Sequence, residues 1–207
     1  MRPTYRSAAA TTGEGILASR GWFVFAIGSL VLAGLLSLSL VIGRLPFLGW
    51  LFTDPLFFKR ALVVHVDLAI VVWFQTGAMA FLALALGSRM SRGVTTISLM
   101  LGALGVLGLL VGAVMPGALP VLSNYVPVID HPIFFAGLIC WFVGVSLFSA
   151  VALFTPARED AKAINSGTVL ALRAAAAANV LGVLTFLGAW MTTPPAAALP
   201  YYELVFW

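Results

Sequence analysis

The sequence predicts an all-α integral membrane protein, a bundle of about five transmembrane helices with the N-terminus cytoplasmic and the C-terminus on the outer side. Three observations carry this. Of 207 residues, 62% are hydrophobic and 9% charged, and the mean hydropathy is +1.09, far outside the range of soluble domains. Five stretches reach the roughly 20 apolar residues that a helix needs to cross hydrocarbon: Gly21–Gly43, Arg60–Leu86, Val94–Met115, His131–Phe154 and Thr168–Trp190. Most basic residues fall in the segments that this topology places in the cytoplasm. The spans fill so much of the chain that residues 1–207 read as one transmembrane domain.

The first span follows a polar, small-residue stretch that holds Arg2, Arg6 and Arg20. It is too long and too deep in the chain for a secretory signal, so it reads as a membrane helix. Residues 44–59 begin RLPFLGWLF, where proline ends the helix and Trp50 and the phenylalanines suit the outer interface. The second span ends before Arg89 and Arg92. The third carries Gly102, Gly105, Gly108 and Gly112 along one side, which permits close helix packing or leaves room for something flat.

Four prolines and the pairs Asn124-Tyr125 and Asp130-His131 mark MPGALPVLSNYVPVIDHP, Met115 to Pro132, as a structured outer loop over residues 116–130. Asp130 is the expected helix N-cap, with Pro132 in the first turn. In the fourth span the lone cysteine, Cys140, reads as a packing residue. A solvated cytoplasmic connection, TPAREDAKAINSG, holds Arg158 and Lys162, and Arg173 lies a little inside the fifth span. Arg44, Lys59 and Arg60 are the basic residues on the outer side. The outer tail, residues 191–207, breaks at a double proline and starts another amphipathic or spanning segment at Tyr201 that stops after seven residues. The expectation is a truncated chain or one completed by a second polypeptide.

The formal charge of +4 is explained by topology, so lipid and other membrane subunits are the expected partners and nucleic acid is not. No glycine-rich phosphate loop, cysteine pair, nucleophile elbow or HExxH is present, which excludes soluble-type hydrolysis and nucleotide chemistry.

Polar chemistry inside the spans centres on KRALVVHVDLAIVVWF, Lys59 to Phe74. An ionisable group within lipid normally faces the bundle and has a partner. His65 is expected about one turn below the outer interface. It can ligate a haem iron or hydrogen-bond a neighbouring helix, and both readings stay open. Asp67 lies about 200° around the helix from it, so its carboxyl needs a donor elsewhere. Arg60, two turns away on roughly the same side, could reach it. Gln75, Gly77 and Ala78 continue the interior stripe, while Trp73 and Phe74 read as packing residues. His131, at a helix start, reads as a capping histidine. The alternative makes it the second imidazole of a bis-histidine cytochrome b. Glu203 is the other acid near the outer face.

The segment FFKRALVVHVDLAIVVWF, with an aromatic interfacial stretch before it and a basic loop after it, resembles the second helix of the catalytic subunit of haem-copper oxidases and related nitric oxide reductases. SNYVPVIDHPIFFAGLICWF and YYELVFW are similar to the corresponding positions of a divergent bacterial group called cytochrome c oxidase subunit I-like. The resemblance implies that His65 ligates a low-spin haem, b- or a-type, for electron transport. It also implies that Arg60 or Lys59 meets the propionates, and that the chain belongs to a larger complex of the bacterial inner membrane. The helices that supply the copper ligands, the high-spin haem ligand and the second low-spin ligand follow the five present here. No copper is therefore expected in this chain, and it is not expected to be catalytic alone. The alternative implied function is a cofactor-free accessory or scaffold subunit of a respiratory or photosynthetic complex.

Overall fold

The computed structural model describes residues 5–48, 50, 54–122, 126–156 and 166–192; the side chains of 5–17 and 190 lie outside that description. Among the described residues five helices follow one another: α1 (Tyr5–Ile42), α2 (Phe57–Arg89), α3 (Arg92–Val114), α4 (Pro132–Phe154) and α5 (Ser166–Thr192). Each is long and apolar enough to cross a membrane. Between α3 and α4 lies a two-stranded antiparallel hairpin, β1 (Leu119–Val121) and β2 (Val128–Asp130), with Pro120 opposite Ile129. The hairpin is a small departure from an otherwise helical chain, in the segment expected as a structured loop. Valine and isoleucine favour an extended backbone, and the chain between Met115 and Pro132 closes on itself.

The helix ends have local causes. Met115 and Thr155 precede Pro116 and Pro156 and adopt extended ψ values of 143° and 125°, as the proline ring requires. Gly87, at φ 58°, turns the end of α2 into the 3-10 turn Gly87–Arg89. The N-cap of α4 is His131, whose ring accepts from the backbone, with Pro132 at the first helical position. Asp130, expected in that role, ends β2 instead. Both α1 and α2 start earlier than their apolar runs, at Tyr5 and Phe57. Polar or aromatic residues continue a helix without adding to its apolar stretch.

Packing is densest between α3 and α4. A Cβ at Gly108 would stand 2.6 Å from the Gly137 Cα, and one at Gly105 would stand 2.7 Å from the Trp141 nitrogen. The glycine side of α3 is thus filled by the α4 backbone, the close-packing alternative of the two readings. α1 lies along α2, and α5 lies against α4 and the later half of α2. The shared core includes Trp22, Val63, Leu68, Val72, Met79, Phe134, Trp141 and Phe148. The Trp22 and Phe148 rings meet edge-on at 5.2 Å. Leucines 35, 104, 107, 181 and 184 point outward, as faces toward lipid do.

Several expectations concern residues outside the description. They are Asn124 and Tyr125, the side chain of Arg6, Arg2, Arg158, Lys162, and the tail from 193 with Glu203.

Candidate functional site

α2 carries the polar residues, and its backbone changes where they cluster. Residues Phe57–Val66 are α-helical, Asp67–Val72 form a π-turn, and the α-helix resumes at Trp73. The Asp67 N–H is shared between the carbonyls of Val63 and Val64, and the Trp73 N–H reaches five residues back to Leu68. Such turns recur at functional positions because they re-aim side chains within a continuous helix.

His65 lies eight residues into α2 from Phe57, roughly 12 Å along its axis. Its ring is half-buried, and Nδ1 sits 2.8 Å from the carbonyl oxygen of Ala33 on α1. A carbonyl oxygen only accepts, so Nδ1 carries the proton and Nε2 keeps its lone pair. Ala33 is small and buried, which lets the two helices approach closely enough for this bond.

Asp67 is 1% exposed, and neither carboxyl oxygen has a hydrogen-bond partner among the described residues. Arg60 does not reach it. The buried Arg60 guanidinium is paired with Asp54, and its Nη1 donates to the carbonyls of Met115 and Ala118 at 3.3 and 3.4 Å. It thus stitches the start of α2 to the root of the hairpin. Lys59, beside it, is exposed. His131 Nδ1 accepts from the Ile133 N–H at 3.3 Å, so in this ring the proton sits on Nε2. The two imidazoles therefore present opposite tautomers, and only that of His65 leaves Nε2 able to ligate.

Deeper in the bundle, Gln75 joins three helices. Its Oε1 accepts from Trp141 Nε1 at 2.7 Å, and its Nε2 donates to Asn179 Oδ1 at 2.9 Å. Asn179 then donates to Ser149 Oγ at 3.2 Å, and Ser149 to Met79 Sδ at 3.4 Å. Sequence reasoning marked Gln75 but missed Asn179. The signal was present: one amide inside the apolar AAAAANVLG of a spanning helix must find a partner.

An apolar groove of about 420 Å³ runs between α1 and α3, lined by Gly21, Phe25, Gly28, Ser29, Leu99 and Val106 among others; neither His65 nor Asp67 lines it. Among the described residues no three His, Cys, Asp or Glu side chains gather around a possible metal position.

No family model matches the chain. It is similar to an uncharacterized protein of Aquifex aeolicus, 34% identical over 193 residues, which cover 90% of this chain and 47% of that protein. The chain spans about half the length of that relative. A shorter similarity, 42% over 55 residues, links 27% of this chain to 11% of an uncharacterized protein of Rickettsia prowazekii. No solved structure matches.

Proposed function

We propose that the chain is a multi-pass subunit of a bacterial cytoplasmic membrane, similar to the opening helices of haem-copper oxidase and nitric oxide reductase subunit I. In this reading His65 gives one axial bond to a low-spin b- or a-type haem within a larger complex. The observation that carries it is the 2.8 Å contact between His65 Nδ1 and the Ala33 carbonyl. A ligating imidazole characteristically donates its other ring N–H to a carbonyl or carboxylate, which fixes the tautomer and raises the basicity of the ligating nitrogen. When bound, such a haem supplies one-electron transfer.

Of the two imidazoles, that of His65 would hold the iron, because its Nδ1 is the atom engaged by a carbonyl. The chain's part is to hold the His65 ring in one orientation between α1 and α2. His131 is engaged in capping α4, so a second ligand to the iron would come from outside the described residues, and no copper site is assigned to this chain. Arg60 is engaged by Asp54 and the hairpin root, which leaves Lys59 as the cation offered to propionates. Asp67 lies on the opposite side of α2 from the ring and stays outside the ligand set. The match to about half of a longer Aquifex protein agrees with a unit that works beside further helices. The arginines at the end of α2 and the start of α3 support a cytoplasmic position for that end.

A reduced-minus-oxidised spectrum of the purified complex tests the reading. A sharp α-band that His65→Ala removes and His131→Ala leaves is the expected result. Loss of the band in both variants would favour the bis-histidine cytochrome. A complex that shows no band, yet needs this chain to assemble, would make it an accessory scaffold.

A further inference from the structure

The apolar groove between α1 and α3 has dimensions that decide what can lie in it. α1 leans on α2 and touches α3 at few positions, and the space left between them is about 420 Å³. Its wall on α1 runs from Gly21 to Leu32, roughly 16 Å at 1.5 Å per residue. Averaged over that length its cross-section is about 25 Å², whereas a helix about 10 Å across needs roughly 80 Å². Hydrocarbon chains in contact lie about 4–4.5 Å apart and so take roughly 20 Å² each. The groove therefore takes one hydrocarbon chain and is too narrow to seat another helix. Its depth agrees. The spanning parts of α1 and α3 are Ala18–Ile42 and Arg92–Val114, so Gly21 lies near one membrane face while Leu32 and Val106 lie at mid-depth. That is the length of one leaflet, half of a hydrocarbon core about 30 Å thick.

The lining is preformed and apolar. The Phe25 ring is held edge-on against Trp141 at 5.6 Å and lies over Gly102, where a Cβ would stand 2.9 Å from its Cε1. Ser29 is the polar residue of the lining, and its hydroxyl donates to the Ala26 carbonyl within α1 at 2.8 Å. A polar occupant would thus find no partner along the groove. A Cβ at Gly28 would meet nothing within 4 Å, so the middle of the groove stands open for its occupant.

We propose that this groove holds one acyl chain of a phospholipid from the adjoining leaflet, a lipid kept between α1 and α3 rather than exchanged freely with the bilayer. An extended chain advances about 1.2 Å per bond, so about fourteen of its carbons lie against the protein. Bilayer tails are as apolar as the lining. Retention therefore comes from the dispersion contacts with Phe25, Leu32, Leu99 and Val106 that an unfilled gap would forfeit. The proposal rests on the membrane reading but not on haem.

Native mass spectrometry of the detergent-solubilised protein, relipidated with dipalmitoyl phosphatidylcholine, tests it. The expected result is a lipid retained by the parent and by Gly34→Leu but lost from Gly28→Leu. Both glycines have open space around them, and only Gly28 lines the groove, so its new side chain takes the place of the acyl chain. Ala103→Phe, on the α3 wall, serves if Gly28→Leu does not fold. No retained lipid in the parent, equal retention in Gly28→Leu, loss from both glycine variants, or a polyprenyl compound held in the phospholipid's place would overturn the proposal. Release of the chain from membranes by alkaline wash would instead overturn the membrane reading beneath it.

Discussion

Trp141 on α4 donates its indole N–H to Oε1 of Gln75 on α2 at 2.7 Å, and the other end of the same amide holds Asn179 on α5. α5 buries little of its apolar surface in the bundle, and lipid competes evenly for leucine faces. The amide chain therefore sets where α5 docks. Asn179→Ala should lower stability by about 1 kcal/mol. A double-mutant cycle with Gln75→Leu, measured by denaturant titration in detergent, should give a coupling above about 0.5 kcal/mol. Strictly additive losses would mean that the two amides act independently.

At the α3–α4 seam the limit is steric. Gly108→Ala forces a Cβ to within 2.6 Å of the Gly137 backbone, where no side chain can yield, so the helices must separate. Overpacking of this kind costs about 1–3 kcal/mol. Gly28→Ala on α1 meets nothing within 4 Å and should be neutral or gain up to about 1 kcal/mol from helix propensity. Thermal unfolding of both variants checks the contrast, and equal melting temperatures would deny that the seam is tight.

The sequence disclosed the five helices because crossing hydrocarbon demands a run of apolar residues that nothing else explains. It disclosed far less of the contacts between them. The partner of His65 is a backbone carbonyl, which any residue at position 33 would supply, so no side-chain identity announces it. The π-turn at Asp67 arises from five-residue hydrogen bonds and has no composition of its own. Arg60 was legible as a cation at the start of the second span, but its partner Asp54 sits in the loop before the helix, where nothing in the residue pattern announces the pairing. The hairpin was hidden by the prolines at 116, 120, 127 and 132, since Pro120 is tolerated only where no ladder donor is needed.

Arg60 ties the hairpin root to α2 through Asp54 and two carbonyls. Arg60→Met keeps the buried stem and removes the donors. Amide hydrogen exchange in residues 119–121 and 128–130 should then rise by roughly tenfold, the loss of one to two charge-assisted bonds, while exchange in the α3–α4 core stays unchanged. Uniform acceleration throughout the bundle would mean that Arg60 supports the whole fold rather than the hairpin.

His65→Gln separates the two roles of the imidazole. Glutamine can still donate from its amide to the Ala33 carbonyl, yet it offers no imidazole nitrogen to iron. If ligation is the role, the α-band disappears while melting temperature and complex assembly are retained. If the ring serves only as a hydrogen-bonded spacer between α1 and α2, His65→Gln should match the parent protein in every measurement.

Asp67 sets stability against use. A buried carboxyl without a donor costs about 1–3 kcal/mol or more relative to an apolar group of similar shape, and a fold has no structural reason to keep it at the start of a π-turn. Asp67→Leu should therefore stabilise the protein by about 1–2 kcal/mol, read as a higher midpoint in denaturant. Because residues that cost stability cluster where function needs them, the same variant should, under the proposed haem reading, be impaired in electron transfer. A destabilised Asp67→Leu would show instead that the carboxyl has a donor, and that its burial belongs to the architecture of the bundle.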